Sequence, residues 1–327
     1  MKRGWMLSLC LLAATPAHAG LWNIAWDNDL FSGTDRGYTN GLRLSWLSTA
    51  AERNDVCNLC VAAGVRDGLS WLPGIGSPGS DHALAVSIQQ SMVTPSDIKS
   101  EAPQYDDIPY VGYLSMEAGI YAWNRTRLTG YGVVAGIVGP DSGAQRAQEW
   151  VHKVTGSNDP KGWDNQLGPD RVGGIQAMHA RRFLVTGNAS DIQNEFVWAA
   201  GATASSFISN AQAGIFWRIG RNLPGNFVPE YAGITSSVGL PGLLDAPGSG
   251  WNVFAGLVAE VIPYSYIEDK AGRYQFEQEI LVGHATLGAG LHSNNFHFAM
   301  TMRATTAQEE TNKQSLSFGT LSFTWRM

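Results

Sequence analysis

The chain has 327 residues, of which 15% are charged, and 28 acidic against 22 basic side chains give it a formal net charge of −6. This acidic balance argues against nucleic acid as a partner. The chain has 12 tryptophans, 38 glycines and a mean hydropathy near zero. After the N-terminal leader, no apolar run approaches the ~20 residues that a membrane-spanning helix needs. A closed β-barrel reconciles these features.

Residues 1–19 have the pattern of a secretory signal peptide. Lys2 and Arg3 precede an apolar run, and an A-x-A cleavage pattern ends at Ala19. Removing this leader leaves 20 basic against 28 acidic side chains, a formal net charge of −8. We therefore predict a single exported domain over residues 20–327.

A charged turn separates the first two predicted strands. The sequence DNDLFSGTDRGYTNGL spans residues 27–42 and lies between segments rich in Trp and Leu. A solvated hairpin tip explains such a cluster, and so does a functional site. For Asp27, Asp35 and Arg36 the sequence favours a structural role, because turn-forming polar residues commonly hydrogen-bond their own backbone.

A short cysteine pair follows the second predicted strand. Cys57 and Cys60 lie in the sequence CNLC. In an exported protein this spacing favours a small disulfide. A metal half-site would need a second cysteine pair, and a thioredoxin-type redox site would need a βαβ pattern around it; the sequence has neither.

Alternation with a period of two recurs along most of the chain. Trp22, Ile24 and Trp26, for example, alternate with small or polar residues, and the C-terminal segment ends on alternating Leu, Phe, Trp and Met. A soluble β-sandwich alternates in the same way. The export signal and the apolar C-terminal strand favour an all-β fold of the transmembrane barrel type, with strands of ~9–11 residues.

Twelve strands are predicted, which places both termini at the periplasmic end. They cover residues 21–29, 38–48, 82–94, 110–123, 127–138, 173–186, 193–205, 209–220, 251–263, 274–290, 295–305 and 315–327. The segment 61–71 is a candidate for a further hairpin. With this orientation, the turn after the first strand and the connection after the fifth strand both lie on the extracellular side.

The connection after the fifth strand contains a predicted helix. It reads GPDSGAQRAQEWVHKVTG over residues 139–156, with Ser142 as the expected N-cap and Gly156 as the C-terminal stop. Gln148 and His152 are four residues apart and therefore share one helix face. Topology brings this helix over the rim that carries the first turn.

These segments resemble the outer-membrane lipid A 3′-O-deacylase family. NDLFSGTDRGYTNGL, PYVGYLS at 109–115, GPDSGAQRAQEWVHKVTG and GWDNQL at 162–167 follow its order and spacing. The resemblance implies a twelve-stranded barrel in the bacterial outer membrane, with a calcium-dependent site that acts on lipid A of lipopolysaccharide in the outer leaflet. The site residues that it implies are Asn28, Asp29, Thr39, Gln148 and His152.

The chemistry of these residues suits ester hydrolysis. Histidine titrates near neutrality and can activate water as a general base, which we assign to His152. Asp29 supplies a hard oxygen ligand for calcium. Gln148 orients His152 or the water, while Asn28 and Thr39 complete the oxyanion or metal environment.

Two alternatives remain open at the level of sequence. A Ser-His-Asp triad could use Ser32, although the sequence contains no G-x-S-x-G elbow. A non-enzymatic barrel, either a small pore or a ligand-binding scaffold, explains the strand alternation equally well. The other histidines, at positions 82, 179, 284, 292 and 297, are predicted to be lumen or interface residues.

Overall fold

The computed structural model is a closed antiparallel barrel of twelve strands. The structure describes residues 20–28, 37–48, 61–188, 190–225, 227–228, 248–309 and 315–326. The strands are β1 (Leu21–Asn28), β2 (Gly37–Leu47), β3 (Asp81–Thr94), β4 (Val111–Trp123), β5 (Arg127–Val138), β6 (Asp170–Thr186), β7 (Ile192–Ser205), β8 (Ile208–Arg221), β9 (Gly250–Ser265), β10 (Leu281–His292), β11 (Phe296–Ala307) and β12 (Ser315–Arg326). Consecutive strands pair, and β1 closes the barrel against β12. The predicted fold class and strand number are confirmed.

Three α-helices lie in the connections of the described part of the chain: α1 (Val61–Gly68), α2 (Ala144–Thr155) and α3 (Tyr266–Lys270). Among the described residues, no helix is both long enough and apolar enough to cross a membrane. The first of these helices corrects the sequence interpretation, because residues 61–68 form α1 rather than part of a further hairpin.

The predicted strand boundaries hold for eleven strands to within a few residues, and the tenth is wrong. It was placed at 274–290, whereas β10 begins at Leu281. Residues at the start of the predicted segment pack at the barrel rim instead. Tyr274 contacts Tyr105 with ring centroids 5.3 Å apart, and Phe276 is buried in an apolar cluster.

Alternate residues of each strand face the lumen and the outside of the wall. In β1, Ile24 is exposed on the outer face while its neighbours Asn23 and Ala25 are buried. Asp27 is also buried in the lumen, where its carboxylate accepts hydrogen bonds from Tyr38 at 2.6 Å and from Thr320 at 2.8 Å. These contacts agree with the structural role expected for Asp27.

Apolar side chains occupy both ends of the lumen. At the end opposite the termini, Tyr113 stacks on Phe207 with centroids 3.9 Å apart. Near the termini, Trp123 belongs to a second buried apolar cluster. Between the two clusters, the Nε2 of His284 lies 2.6 Å from a Glu260 carboxylate oxygen. A lumen packed in this way differs from the water-filled channel of a porin.

The position of the termini tells the two ends of the barrel apart. The end that holds both termini has short turns at 124–126, 187–191 and 293–295 and two longer connections, residues 48–80 and 222–249. An even number of strands places both termini of a bacterial outer-membrane barrel on the periplasmic side. The opposite end, which carries α2 and α3, is therefore extracellular.

Candidate functional site

Helix α2 lies against the outside of the barrel wall at the extracellular end. It contacts β3 and β4, where Met92 and Gly112 are paired in the outward-facing row. A Cβ atom on Gly112 would lie only 2.7 Å from the Cβ of Ala144, so the helix approaches the strand closely. The Nε2 of Gln90 donates to the carbonyl oxygen of Ser142 at 2.7 Å and fixes the helix entry.

The ends of α2 partly match the prediction. Its N-cap is Gly143, with φ of 72°, rather than Ser142. Ser142 instead ends a short 3-10 turn that begins at Pro140, so its backbone is already committed to that turn. Gly156 ends the helix in the left-handed conformation, with φ of 75°, as expected.

The buried face of α2 carries both predicted site residues. Ala144, Gln148 and His152 are spaced by four and all are buried, which confirms their shared face. Trp150 and Val154 lie on the opposite side and are 66% and 67% exposed. The helix therefore holds the amide and the imidazole against the wall, away from solvent.

His152 is oriented by the chain that follows the helix. Its Nδ1 lies 2.5 Å from the backbone oxygen of Asn158, which the turn at Gly156 brings back alongside the ring. Because a carbonyl oxygen only accepts, Nδ1 carries the hydrogen and the lone pair of the neutral ring is on Nε2.

Gln148 is fixed through one end of its amide. Trp163 Nε1 donates to Gln148 Oε1 at 2.7 Å, and the indole packs on Tyr110 with ring centroids 4.9 Å apart. The Nε2 of Gln148 is buried and has no hydrogen-bond partner among the described residues. A buried amide donor without a partner is costly, and a bound ligand or water would satisfy it.

The strand side of the site is a row of outward-facing residues at the rim. Asn28 at the end of β1 pairs with Asn40, which in turn pairs with Met92. Both asparagines are buried. A register shift between Tyr38 and Asn40 makes Thr39 the extra residue of a β-bulge, so simple alternation does not extend to Thr39.

Several predictions fall on parts of the chain that the structure does not describe. Asp29, the proposed calcium ligand, lies outside the described residues, and so does the side chain of Thr39. The signal peptide, Cys57 and Cys60 also lie outside them. Of the five predicted site residues, Gln148 and His152 share a face of α2, and Asn28 lies on the same outer wall.

Sequence reasoning assigned no role to three positions that shape the site. They are Trp163, which holds Gln148, Asn158, whose backbone oxygen holds His152, and Gly112, which admits the helix. A glycine between bulky residues in PYVGYLS was the available signal, because a glycine inside a strand often marks close approach of another segment. The carbonyl of Asn158 has no signature in the sequence.

The family comparison decides the identity of the fold. The model for the family described as outer membrane protein LpxR matches residues 5–327. The chain belongs to the LpxR family. It is accordingly a protein of the bacterial outer membrane, consistent with its closed barrel.

One solved structure of the family has the same fold, and a second barrel is a weaker match. LpxR from Salmonella typhimurium is 18% identical, with a TM-score of 0.72, and the match covers 93% of this chain and 99% of that one. The β domain of the Bordetella autotransporter BrkA is 8% identical, with a TM-score of 0.45 over 94% of this chain and 99% of that one. No curated protein matches the chain.

Proposed function

We propose that this LpxR-family protein is a lipid A deacylase, which hydrolyses an ester-linked acyl chain, of the 3′-acyloxyacyl type, from lipopolysaccharide in the outer leaflet. The observation that carries the proposal is the fixed His152 imidazole on the wall-facing side of α2. Its Nδ1 donates to Asn158, so Nε2 is the proton acceptor. The site lies outside the wall at the extracellular end of the barrel, the side that faces lipopolysaccharide in the outer leaflet.

The proposed reaction is general-base hydrolysis. Nε2 of His152 takes a proton from a water molecule as the water oxygen attacks the ester carbonyl carbon. The carbonyl oxygen becomes negative in the tetrahedral intermediate, and the Nε2 donor of Gln148 is a candidate to stabilise it or to position the water. Collapse breaks the ester C–O bond, and the imidazolium returns its proton to the leaving alkoxide.

Calcium is part of the proposal, and the donor set at the rim suits it. The buried side chains of Asn28 and Asn40 offer neutral hard oxygens on adjacent strands, and Asp29 follows directly in the sequence. When bound, the ion would polarise the ester carbonyl. The described residues contain no group of three His, Cys, Asp or Glu side chains placed to hold a metal, so Asp29 would supply most of the ligand charge.

The non-enzymatic alternatives have less support. A pore is disfavoured by the apolar clusters that occupy both ends of the lumen. A binding scaffold does not require an imidazole with a fixed tautomer beside a buried amide donor. The serine triad has no support from the described residues, since His152 is oriented by a backbone oxygen rather than by a carboxylate.

Release of the acyl product tests the function directly. Protein purified in detergent is incubated with lipopolysaccharide and calcium, and the released acid and residual lipid A are measured by mass spectrometry. We expect loss of one ester-linked chain by the wild-type protein and a loss of activity in His152→Ala. A correctly folded wild-type barrel that releases no acid under these conditions would refute the proposal.

A further inference from the structure

A second segment covers the outer wall at the opposite, periplasmic end. After α1, residues 69–80 fold over an outward-facing row of cross-strand partners. These partners are His82, Ala122, Thr129 and His179, on β3 to β6. Two contacts hold the segment down: the Tyr131 hydroxyl donates to the Pro73 carbonyl at 2.9 Å, and the Gly76 amide donates to His82 Nε2 at 3.1 Å.

A polar cavity of about 270 Å³ lies between this segment and the wall. Ser77, Ser80, Asn124, Arg127, Thr129 and His179 are among its lining residues. The Thr129 hydroxyl lies 2.8 Å from His179 Nδ1. Gly74 has φ of 87°, and a Cβ at this position would lie 2.8 Å from the Thr129 hydroxyl, so a side chain there would press into the cavity wall.

Two arginines lie at the cavity: Arg127 lines it, and Arg181 is its cross-strand neighbour just outside the lining. Arg127 and Arg181 are direct cross-strand partners, both exposed. Neither forms an ion pair with a described residue, whereas nearby Arg182 pairs with Glu195 at 2.8 Å. Like charges opposite each other destabilise a sheet, and a bound anion would remove that repulsion. Guanidinium groups bind phosphate oxygens well because two N–H donors can act together.

The surroundings place the cavity at the level of lipid headgroups. Arg181 also pairs with Trp198, and Trp71 on the covering segment is 75% exposed. Tryptophan is enriched at membrane interfaces. Towards the membrane centre, the outward side chains of Val133 and Ile175 are 56% and 63% exposed. A ligand with a polar anionic head and apolar chains fits this change from polar to apolar wall.

We propose that this cavity binds the phosphate group of an anionic glycerophospholipid from the periplasmic leaflet, with its acyl chains along the wall of β5 and β6. Arg127 and Arg181 contact the phosphate, and Thr129 and His179 supply further hydrogen bonds. The proposal rests on the outer-membrane location and does not depend on the hydrolytic activity.

Native mass spectrometry of the detergent-purified barrel, titrated with phosphatidylglycerol, tests the site. Arg127→Gln and Arg181→Gln are each expected to weaken lipid binding about tenfold or more, the scale of a lost charge-assisted hydrogen bond. Arg221→Gln is the matched control, since Arg221 is also exposed at the periplasmic end of a strand but its strand neighbours are β7 and β9, away from the cavity on β3 to β6. Equal binding by all four proteins, or equal weakening by the control, would overturn the proposal.

Two further arms separate this cavity from general surface charge and from free phosphate. Thr129→Leu fills the cavity without changing charge and is expected to abolish the tight lipid adduct while the heat-dependent gel shift of the folded barrel is retained. Unchanged lipid binding in a folded Thr129→Leu barrel would contradict the cavity assignment. Excess inorganic phosphate should leave the adduct intact, and displacement by phosphate at the lipid's own concentration would overturn the lipid assignment.

Discussion

Two segments cover the outer wall of the same strands at opposite ends of the barrel. At the extracellular end, α2 lies over the row that contains Met92 and Gly112. At the periplasmic end, residues 69–80 lie over the row that contains Thr129 and His179. Each combines a histidine with hydrogen-bonding neighbours outside the lumen. The partner of His152 is a carbonyl oxygen that only accepts, whereas the partner of His179 is the Thr129 hydroxyl, which can donate or accept.

The difference lies in how each segment is held. The segment that carries α2 interlocks with a second extracellular loop, through the Lys161 amide on the Ile98 carbonyl at 2.8 Å and through the Tyr110 and Trp163 rings. The periplasmic segment is a series of turns beside a cavity. A rigid helix suits chemistry that needs fixed atoms, while a polar cavity beside exposed arginines suits ligand binding.

The largest expected effect is the loss of ester hydrolysis at the extracellular end when calcium is removed. Chelation should abolish ester hydrolysis reversibly, and Asp29→Asn should stop turnover or raise the calcium requirement, because Asp29 supplies the proposed ligand charge. A site with one carboxylate and several neutral oxygens should need about 10⁻⁴ to 10⁻³ M calcium. Magnesium should restore little, since it demands near-octahedral geometry.

Lipid binding at the periplasmic cavity provides the control for chelation, because it should not change when calcium is removed. Hydrolysis that survives thorough chelation would refute the calcium assignment. Such a result would leave Asn28 and backbone amides as the donors to the oxyanion.

The two histidines give the next comparison. His152→Ala should lower deacylation by about 10² or more, the usual scale for losing a general base. His179→Ala, on the same outer wall but at the other end, should keep near-normal activity. Initial rates of acid release measure both, with the heat-dependent gel shift as the test of folding. Similar losses in both variants would mean that His152 acts only through stability.

A side chain added at the glycine where each segment meets the wall should impair the function of that end of the barrel and leave the other end unaffected. Gly112→Val adds atoms where even a Cβ would clash with the Ser142 hydroxyl and with the Ala144 side chain, so α2 must shift. We expect roughly tenfold slower hydrolysis, or worse, because small displacements of catalytic groups are costly.

The matched variant at the periplasmic end is Gly74→Ala, which should weaken phospholipid binding and leave hydrolysis unchanged. Acid release and lipid titration on both variants complete the comparison. A Gly112→Val protein with normal activity would show that the position of α2 against β4 does not matter for catalysis.

The smallest expected effects concern Gln148 and its indole partner. Gln148→Ala should slow hydrolysis by roughly tenfold, less than His152→Ala, since an orienting or oxyanion donor is lost and the base remains. Trp163→Phe keeps the ring on Tyr110 but leaves Gln148 Oε1 without its donor, and a loss of a few-fold follows. Gln145→Ala, at a half-buried α2 residue whose amide donates to Glu149 rather than to the site, should change nothing. Steady-state rates distinguish the three variants, and an equal loss in Gln145→Ala would point to helix stability instead.

The strands could be predicted because a bilayer imposes a simple period on them. Residues that face lipid must be apolar, so each strand alternates clearly, and the boundaries of eleven strands were predicted to within a few residues. At the rim this constraint is lost. Tyr274 and Phe276 alternate as a strand would, although they pack against loops, and the bulge at Thr39 changes the facing of residues beyond it.

Only part of the candidate site could be predicted from the sequence. The spacing of Gln148 and His152 predicts their shared face because helix geometry is local. Their partners Trp163 and Asn158 depend on how the loop folds back, and the contact with Asn158 uses a backbone oxygen that every residue possesses. The predicted N-cap was wrong for a similar reason, since Ser142 is already part of another turn.

The seam of the barrel has a consequence for biogenesis. Asn28 lies on β1, which is held in place by β2 and by β12, where Asn28 is opposite Gly319. The last strand to leave the ribosome therefore completes the position of a residue near the start of the chain. A chain in transit through the periplasm has no finished site, so the proposed hydrolysis would begin only after insertion has brought the first and last strands together.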